Sequence, residues 1–405
     1  MRLTYVIITW NRCQRLLATL QQVVERTPLL KSQYEIFVVD NASTDGTAEA
    51  VAERFPHVQL IRLRRNEGMA ARNHAIALAA GEYITILDDD SYPVGEAVAR
   101  SMRYMDIHPR TAAVTGRVIL PNGGYEASAL PGVMIGCATT LRRSAIEQVG
   151  AFAPEFFRQA EEYDLSFRLA AAGFTVERFE DLEFRHDKHV RGRSSSLTVR
   201  MDLRNNLILA HRYLPGDLRR EYLADWTQRY RAIAAAHELH RVAKRAMWEA
   251  RAWAMRERWV TNRVLGDEAL EQMFGLEEQA RSVAGFARRH RLRRVVIGDL
   301  GKNIYATWRA CHEAGLSVCG VADNNPTFNA LTYRDVAVRG DKVAIDTLSA
   351  PDGIILSNVN PAQVEARAAE LRKFGLPVLA MWSPRTLQRL IVERGAAARE
   401  RDHAA

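Results

Sequence analysis

Short apolar runs open the chain, and each gives way to a polar cluster. Leu3-Thr4-Tyr5-Val6-Ile7-Ile8 leads into Thr9-Trp10-Asn11-Arg12, and Tyr34-Glu35-Ile36-Phe37-Val38-Val39 into Asp40-Asn41-Ala42-Ser43-Thr44-Asp45-Gly46-Thr47. Val58 to Arg62 precedes Arg65-Asn66-Glu67-Gly68, and Tyr83-Ile84-Thr85-Ile86-Leu87 precedes Asp88-Asp89-Asp90. Helix-like stretches lie between them, over Leu16 to Arg26, Thr47 to Arg54 and Ala70 to Ala80. Strands alternating with helices of this length predict βαβ units around a parallel sheet, an α/β fold. The polar clusters then gather at the carboxyl edge, where open α/β sheets bind ligands.

Asp88-Asp89-Asp90 carries the most chemistry. Three carboxylates at the end of a buried strand repel one another. One remedy is a hard divalent cation, Mg²⁺ or Mn²⁺, shared with a substrate phosphate. The other reading is a solvated acidic turn, and the triplet alone does not separate the two.

The neighbouring clusters do. The series Thr9-x-Asn11-Arg12, Val38-Val39-Asp40-Asn41-Ala42-Ser43-Thr44-Asp45-Gly46-Thr47, Asn66-x-Gly68-x-x-Ala71-Arg72-Asn73 and Leu87-Asp88-Asp89-Asp90 resembles the family 2 glycosyltransferases of the GT-A fold over roughly residues 1 to 215. That family moves a sugar from a nucleotide diphosphate. The resemblance implies donor binding by Thr9, Asn11, Arg12, Asp40, Arg72, Asp88 and Asp89, and a Mn²⁺ or Mg²⁺ site built from Asp90 with Asp88 and His186. Asp40 suits the N3 hydrogen of uracil or thymine, which favours UDP or dTDP and leaves GDP open. Ser43, Thr44 and Asp45 also fit a helix cap, as do Thr9 and Asn11. In an extended chain Asp89 points away from its two neighbours. Gly68 allows close backbone approach.

On the acceptor side, Ala112 to Ile119 and Gly132 to Arg143 read as strands, then a short helix ends at Val149-Gly150. Gly136 reads either as a close approach or as a bulge. Glu161-Glu162-Tyr163-Asp164-Leu165-x-x-Arg168 opens a helix, where acidic residues suit the macrodipole. It also resembles the segment that supplies the base in inverting members of the family. Glu162 stands where those have Asp and is the expected base, with Glu161 as its rival; Asp164 anchors the helix or binds Arg168. Thr175 to Phe179 and Leu182 to Arg185 read as strands, and His186 is preferred over His189 as the histidine of the metal site. Arg191-Gly192-Arg193-Ser194-Ser195-Ser196 reads as a basic loop, and Arg200 to Pro215 as a helix.

Composition narrows the class further. The 405 residues are 47% hydrophobic and 26% charged, as in globular proteins, and long enough for two or three domains. No run of about 18 apolar residues predicts a transmembrane helix, and the first strand starts too early for a secretory signal. A cytoplasmic chain is expected, with peripheral contact at the inner membrane face open. Cys13, Cys137, Cys311 and Cys319 lack metal-ligand spacing and read as reduced core thiols. The net charge of +8 favours anionic partners, but the basic residues are scattered and nucleic acid is not expected.

Residues 217 to 290 are helical in composition. Lys244, Arg251 and Arg258 share a face, with Trp248, Trp253 and Trp259 among them. That face suits an anionic membrane, and a packed helical connector suits the same residues. From Leu292, strands at Arg294 to Ile297, Leu316 to Val321, Gly353 to Leu356 and Pro377 to Ala380 resemble a small Rossmann-like domain, with Asp323 placed like a ribose-binding acid. Gly298-x-x-Gly301 is an incomplete fingerprint, so packing or homo-oligomer formation is favoured over nicotinamide binding. The expected organisation is a GT-A catalytic domain over 1–215, a helical connector over 216–290, a Rossmann-like domain over 291–385 and a flexible tail over 386–405. The expected activity is metal-dependent inverting transfer to a glycan or lipid-linked acceptor in surface polysaccharide synthesis. The rivals are a nucleotidyltransferase and a non-catalytic nucleotide-sensing scaffold.

Overall fold

In the first apolar runs, alternate side chains belong to opposite faces of a single sheet. The computed structural model describes residues 1–188, 196–257, 263–347, 350–358 and 361–381. It divides into two compact units: residues 1–128 with 132–188, and residues 129–131 with the described residues from 196 onward.

The first unit is built on β1 (Leu3–Thr9), β2 (Tyr34–Asp40), β3 (Gln59–Arg62), β4 (Tyr83–Asp88), β5 (Ser91–Pro93), β6 (Thr111–Ile119), β7 (Tyr125–Glu126), β8 (Thr139–Arg142) and β9 (Thr175–His186). The sheet order is β3-β2-β1-β4-β8-β6-β9-β5, with β7 paired to β6. β1 to β4 are parallel, β8 is antiparallel to both β4 and β6, and β9 runs parallel to β6. Leu3, Tyr5 and Ile7 pack on one face with Ile36, Val38, Tyr83 and Leu87. Val6 and Ile8 pack on the other with Phe37, Val39, Ile84 and Ile86. Leu16, Leu17, Leu20 and Val23 of the helix Cys13–Arg26 cover the first face. A sheet buried on both sides needs apolar residues at every position, which is why these runs do not alternate with polar ones.

Four expectations are corrected. Only Thr139–Arg142 of the run from Gly132 to Arg143 is a strand. Before it, hydroxyls replace the ladder: Met134 N–H donates to Ser166 Oγ (3.3 Å), Ile135 N–H to Thr115 Oγ1 (3.3 Å) and Thr139 Oγ1–H to the Ile135 carbonyl (2.7 Å). Gly136 faces open space at its Cβ position, so it makes no close approach. The helix expected over Ala70 to Ala80 is a 3₁₀ turn, Gly68–Ala71, followed by the short helix Arg72–Ile76. The two strands expected between Thr175 and Arg185 are one continuous β9.

The described part of the second unit opens with the helices Ser196–Tyr213, Gly216–Ala236, His240–Glu257 and Asp267–Phe274, then Leu276–His290 packs against a second sheet, whose strands are interleaved with Ile304–Glu313 and Pro361–Arg372. That sheet contains β10 (Arg294–Gly298), β11 (Ser317–Ala322), β12 (Thr332–Tyr333), β13 (Val336–Arg339), β14 (Gly353–Leu356) and β15 (Val378–Leu379), in the order β12-β13-β11-β10-β14-β15. All pairs but β12–β13 are parallel, a Rossmann-like core. Its turn groups are spent internally. Asp323 accepts the N–H groups of Leu300 (2.8 Å) and Asn325 (2.7 Å), and a Cβ on Gly301 would press on Ser357. Trp248 is 70% exposed, while Trp253 lies under the Arg212 guanidinium, 4.4 Å from its ring centroid. Arg258, Trp259 and the tail from 386 lie outside the described residues, and no described helix is long and apolar enough to cross a membrane.

Gly68 has φ +67°, and a Cβ there would overlap the Phe157 carbonyl, which accepts Met69 N–H at 2.6 Å. Gly68→Ala is therefore expected to cost about 1–3 kcal/mol, and Gly136→Ala to stay within about 0.5 kcal/mol of wild type. Urea midpoints of the two variants check the pair.

Candidate functional site

Strand register alone aligns the first polar clusters. Thr9 is level with Asp40 on one side of β1, and Ile8 with Asp88 on the other. β9 ends beside β5 with His186 opposite Ser91. In the antiparallel β4–β8 pair Thr139 faces Ile86, and Cys137, just before β8, presents its sulfur within 4.8 Å of an Asp88 carboxylate oxygen. Ser91 pins this corner: its Oγ accepts the Asp88 N–H (2.9 Å) and donates to the Cys137 carbonyl (2.9 Å).

The three carboxylates are kept apart by different partners. Asp88 Oδ1 accepts Arg72 Nη2 at 2.5 Å. Arg72 is fully buried with its guanidinium 5.7 Å from the Phe152 ring centroid, and its Nε and Nη1 have no hydrogen-bond partner. Asp89 is buried and does not turn out to solvent; it accepts Thr9 Oγ1–H (2.9 Å) and Arg12 Nη1 (2.5 Å). Asp90 is 3% exposed and accepts Arg12 Nη2 (2.8 Å), with His186 Nε2 at 3.0 Å. Burial pushes the Asp89 carboxyl up to about 7, against the pull of Arg12. Burial acts the same way on Asp90, but His186 and Arg12 outweigh it and hold that carboxyl at about 2.

His186 is the hub on the far side. Its Nδ1 lies 2.8 Å from Glu126 Oε2 and 3.5 Å from Cys137 Sγ, while Lys188 Nζ donates to Glu126 Oε1 at 2.8 Å. Burial lowers the imidazole, yet Cys137, Asp90 and Glu126 together raise it well above the usual histidine range. Asp88, Cys137 and His186 each present one ligand atom within 4.8 Å of the other two. The sequence carries no signal for Cys137 or Glu126: about 50 to 60 residues separate each from its partners.

The remaining candidates sit as follows. Asp40 is buried and its Oδ1 accepts Ser43 N–H at 2.9 Å. Asn11 Oδ1 accepts Thr44 N–H (2.7 Å), Ser43 Oγ accepts Asn11 N–H (2.9 Å), and Asp45 accepts the N–H groups of Cys13 (3.1 Å) and Thr47 (3.2 Å). These residues hold the β1 and β2 loops to each other. Glu161 and Glu162 begin the helix Glu161–Ala171. Glu161 is buried, its Oε2 has no hydrogen-bond partner, and burial raises its carboxyl against the pull of Arg72. Glu162 is half-buried. Asp164 accepts Arg168 Nε (2.9 Å), whose other nitrogens hold the carbonyls of Val149 and Ala151 (2.7 Å each), a structural role. His189 and Arg191 to Ser195 lie outside the described residues.

The sequence relatives match less than half of the chain. Residues 4–150 match the family model described as glycosyl transferase family 2. A poly(ribitol-phosphate) beta-glucosyltransferase of Bacillus spizizenii is 34% identical over 105 residues, 25% of this chain and 16% of that protein. An N-acetylglucosaminyl-diphospho-decaprenol L-rhamnosyltransferase of Mycobacterium tuberculosis is 26% identical over 245 residues, 47% of this chain and 78% of that protein. Thus the chain spans under a fifth of the first relative's length. Among solved structures, S. aureus TarS with UDP-GlcNAc aligns with 78% of this chain and 93% of its own, at 15% identity and TM-score 0.48.

Asp90 is held at about 2, below its value in an unfolded chain, so its contribution is present above about pH 4 and is lost as pH falls towards 2. In metal-free protein the stability gap between wild type and Asp90→Asn should shrink by about 2 kcal/mol over that window. Urea unfolding at stepped pH measures it; a gap that does not change with pH would contradict this assignment.

Proposed function

The chain belongs to glycosyl transferase family 2 through residues 4–150, and from that premise we propose that it is an inverting enzyme. It moves a sugar from a nucleotide diphosphate, UDP or dTDP first, to a hydroxyl of a glycan or lipid-linked acceptor in surface polysaccharide synthesis. The observation that carries the reading is the gathering of Asp40, Asp88, Asp90, Arg12, Arg72 and His186 at one sheet edge. Acids for base and ribose lie beside cations suited to a diphosphate.

A divalent cation fits the donor set. Asp88 Oδ1 is taken by Arg72, and among the described residues no hydrogen bond reaches its Oδ2. His186 and Asp90 stand within 3.0 Å of each other. Held by Asp88, Asp90 and His186, Mn²⁺ or Mg²⁺ would supply positive charge to offset the negative charge growing on the departing diphosphate. Arg12, 40% exposed in its side chain, is the cation free to turn from the carboxylates to a phosphate.

Glu162 acts as base. It takes the acceptor hydroxyl proton as the oxygen bonds to the anomeric carbon and the bond to the diphosphate breaks. A base must be ionised and within reach of the hydroxyl. Half-buried Glu162 is preferred to Glu161, which is buried and whose carboxyl burial raises. Peripheral contact with anionic membrane from the cytoplasmic side belongs to the same reading, supported by exposed Trp248 between Lys244 and Arg251.

Wild type should hydrolyse or transfer from a nucleotide sugar with Mn²⁺, and Asp90→Ala should abolish both; a wild type inert with every donor tested would favour the non-catalytic scaffold. Glu162→Gln should lower kcat about 10²–10⁴-fold with donor binding kept, and Glu161→Gln should cost less. The reverse order, read in steady-state kinetics beside donor titrations, would move the base to Glu161. Thermal shifts with UDP, dTDP and GDP identify the base preference, since ligand binding raises apparent stability.

A further inference from the structure

We propose that Cys137 is a ligand of the cation site, acting with His186 and Asp88, and that the site therefore accepts a thiol-binding cation such as Co²⁺ or Zn²⁺ alongside Mn²⁺. This rests on the reading that the sheet edge holds a divalent cation, and it adds a ligand which the sequence spacing hides.

Three observations carry it. The first is separation. Ligand atoms about 2.0–2.3 Å from one metal stand roughly 3–4 Å from each other. Cys137 Sγ is 3.5 Å from His186 Nδ1, and each of Asp88, Cys137 and His186 presents a ligand atom within 4.8 Å of the other two. Small side-chain shifts would close that trio on a metal.

The second is the support around the trio. Metal-binding histidines hydrogen-bond a carboxylate through the ring, which fixes the ring's orientation. With Nδ1 towards Cys137, the other ring nitrogen, His186 Nε2, lies 3.0 Å from Asp90 Oδ1, and Glu126 beside the ring is itself held by Lys188. Ser91 binds the Asp88 N–H and the Cys137 carbonyl, so the two backbones cannot drift apart. Arg72 holds Asp88 Oδ1, and among the described residues no hydrogen bond reaches Oδ2.

The third is access. Cys137 and His186 are buried, whereas the Asp88 side chain is 30% exposed, so a cation would enter past the carboxylate and meet sulfur and nitrogen behind it. Carboxylate and water sites suit Mg²⁺ and Mn²⁺, and adding a thiolate and an imidazole shifts preference towards Co²⁺ and Zn²⁺. As the metal–sulfur bond forms, the thiol proton leaves to solvent. No oxidation state changes.

Metal-free full-length protein titrated with Co²⁺, with and without UDP, tests the proposal by absorption spectroscopy. Wild type should develop a thiolate-to-cobalt charge-transfer band in the near ultraviolet. Cys137→Ser should lack it and bind Co²⁺ at least about tenfold more weakly, while Cys13→Ser keeps it. If Cys137→Ser does not fold, Cys137→Ala makes the same comparison, and a wild type without the band decides against Cys137 whatever the variants do. Visible cobalt bands without the charge-transfer band would overturn the Cys137 assignment and leave the cation site standing. So would a charge-transfer band that survives Cys137→Ser. No Co²⁺ binding in either condition would overturn the assignment and remove the cation site with it.

Discussion

Everything at the sheet edge depends on how Asp88, Asp89 and Asp90 share a small volume. Like charges at neighbouring positions, two of them nearly inaccessible to water, disfavour ionisation. Each carboxylate meets a different solution. Asp88 faces buried Arg72, Asp89 is shared between Thr9 and Arg12, and Asp90 lies between Arg12 and His186. Consequently their proton affinities diverge, from about 2 at Asp90 to about 7 at Asp89. Adjacent groups of one chemical type thereby become suited to different tasks.

Those partners come from distant elements. Arg12 follows β1, Arg72 opens a short helix after the Gly68 turn, and His186 ends β9. Buried Arg72 is under-satisfied, with two nitrogens lacking partners, and buried Glu161 nearby has an unpartnered oxygen. Buried polar atoms left in this way are costly. Substrate hydroxyls or phosphate oxygens entering the edge would satisfy them, which ties the strain of the site to its proposed use.

The second unit contrasts with this. Its β10 turn resembles a nucleotide-binding turn in order of residues, yet Asp323 and Ser357 take the N–H groups of Leu300 and Gly301. Arg367 joins Asp299 to Asp341 beside them (2.7 and 2.6 Å). A sheet edge whose donors are satisfied internally offers little to a phosphate, whereas in the first unit buried Arg72 keeps two unpartnered nitrogens and the Asp88 and Arg12 side chains are partly exposed. Similar topology therefore serves different ends according to where the polar groups find their partners.

By itself the sequence determined the parallel core of the first unit, the order of its polar clusters and the place of the acidic triplet. Buried β-branched runs and the local turn chemistry of Asp45 and Gly68 are short-range signals, legible without the fold. It also singled out Arg12, Arg72 and His186, through motifs and family resemblance, though not what each would touch. Only the tertiary structure decided that Asp89 is buried, that the segment before Thr139 is held by hydroxyls, and that Cys137 and Glu126 reach His186. Antiparallel pairing of β8 with β4 joins positions more than 50 residues apart, and Glu126, placed by the short β6–β7 pairing, meets His186 60 residues further on; both contacts lie beyond the range of any local pattern.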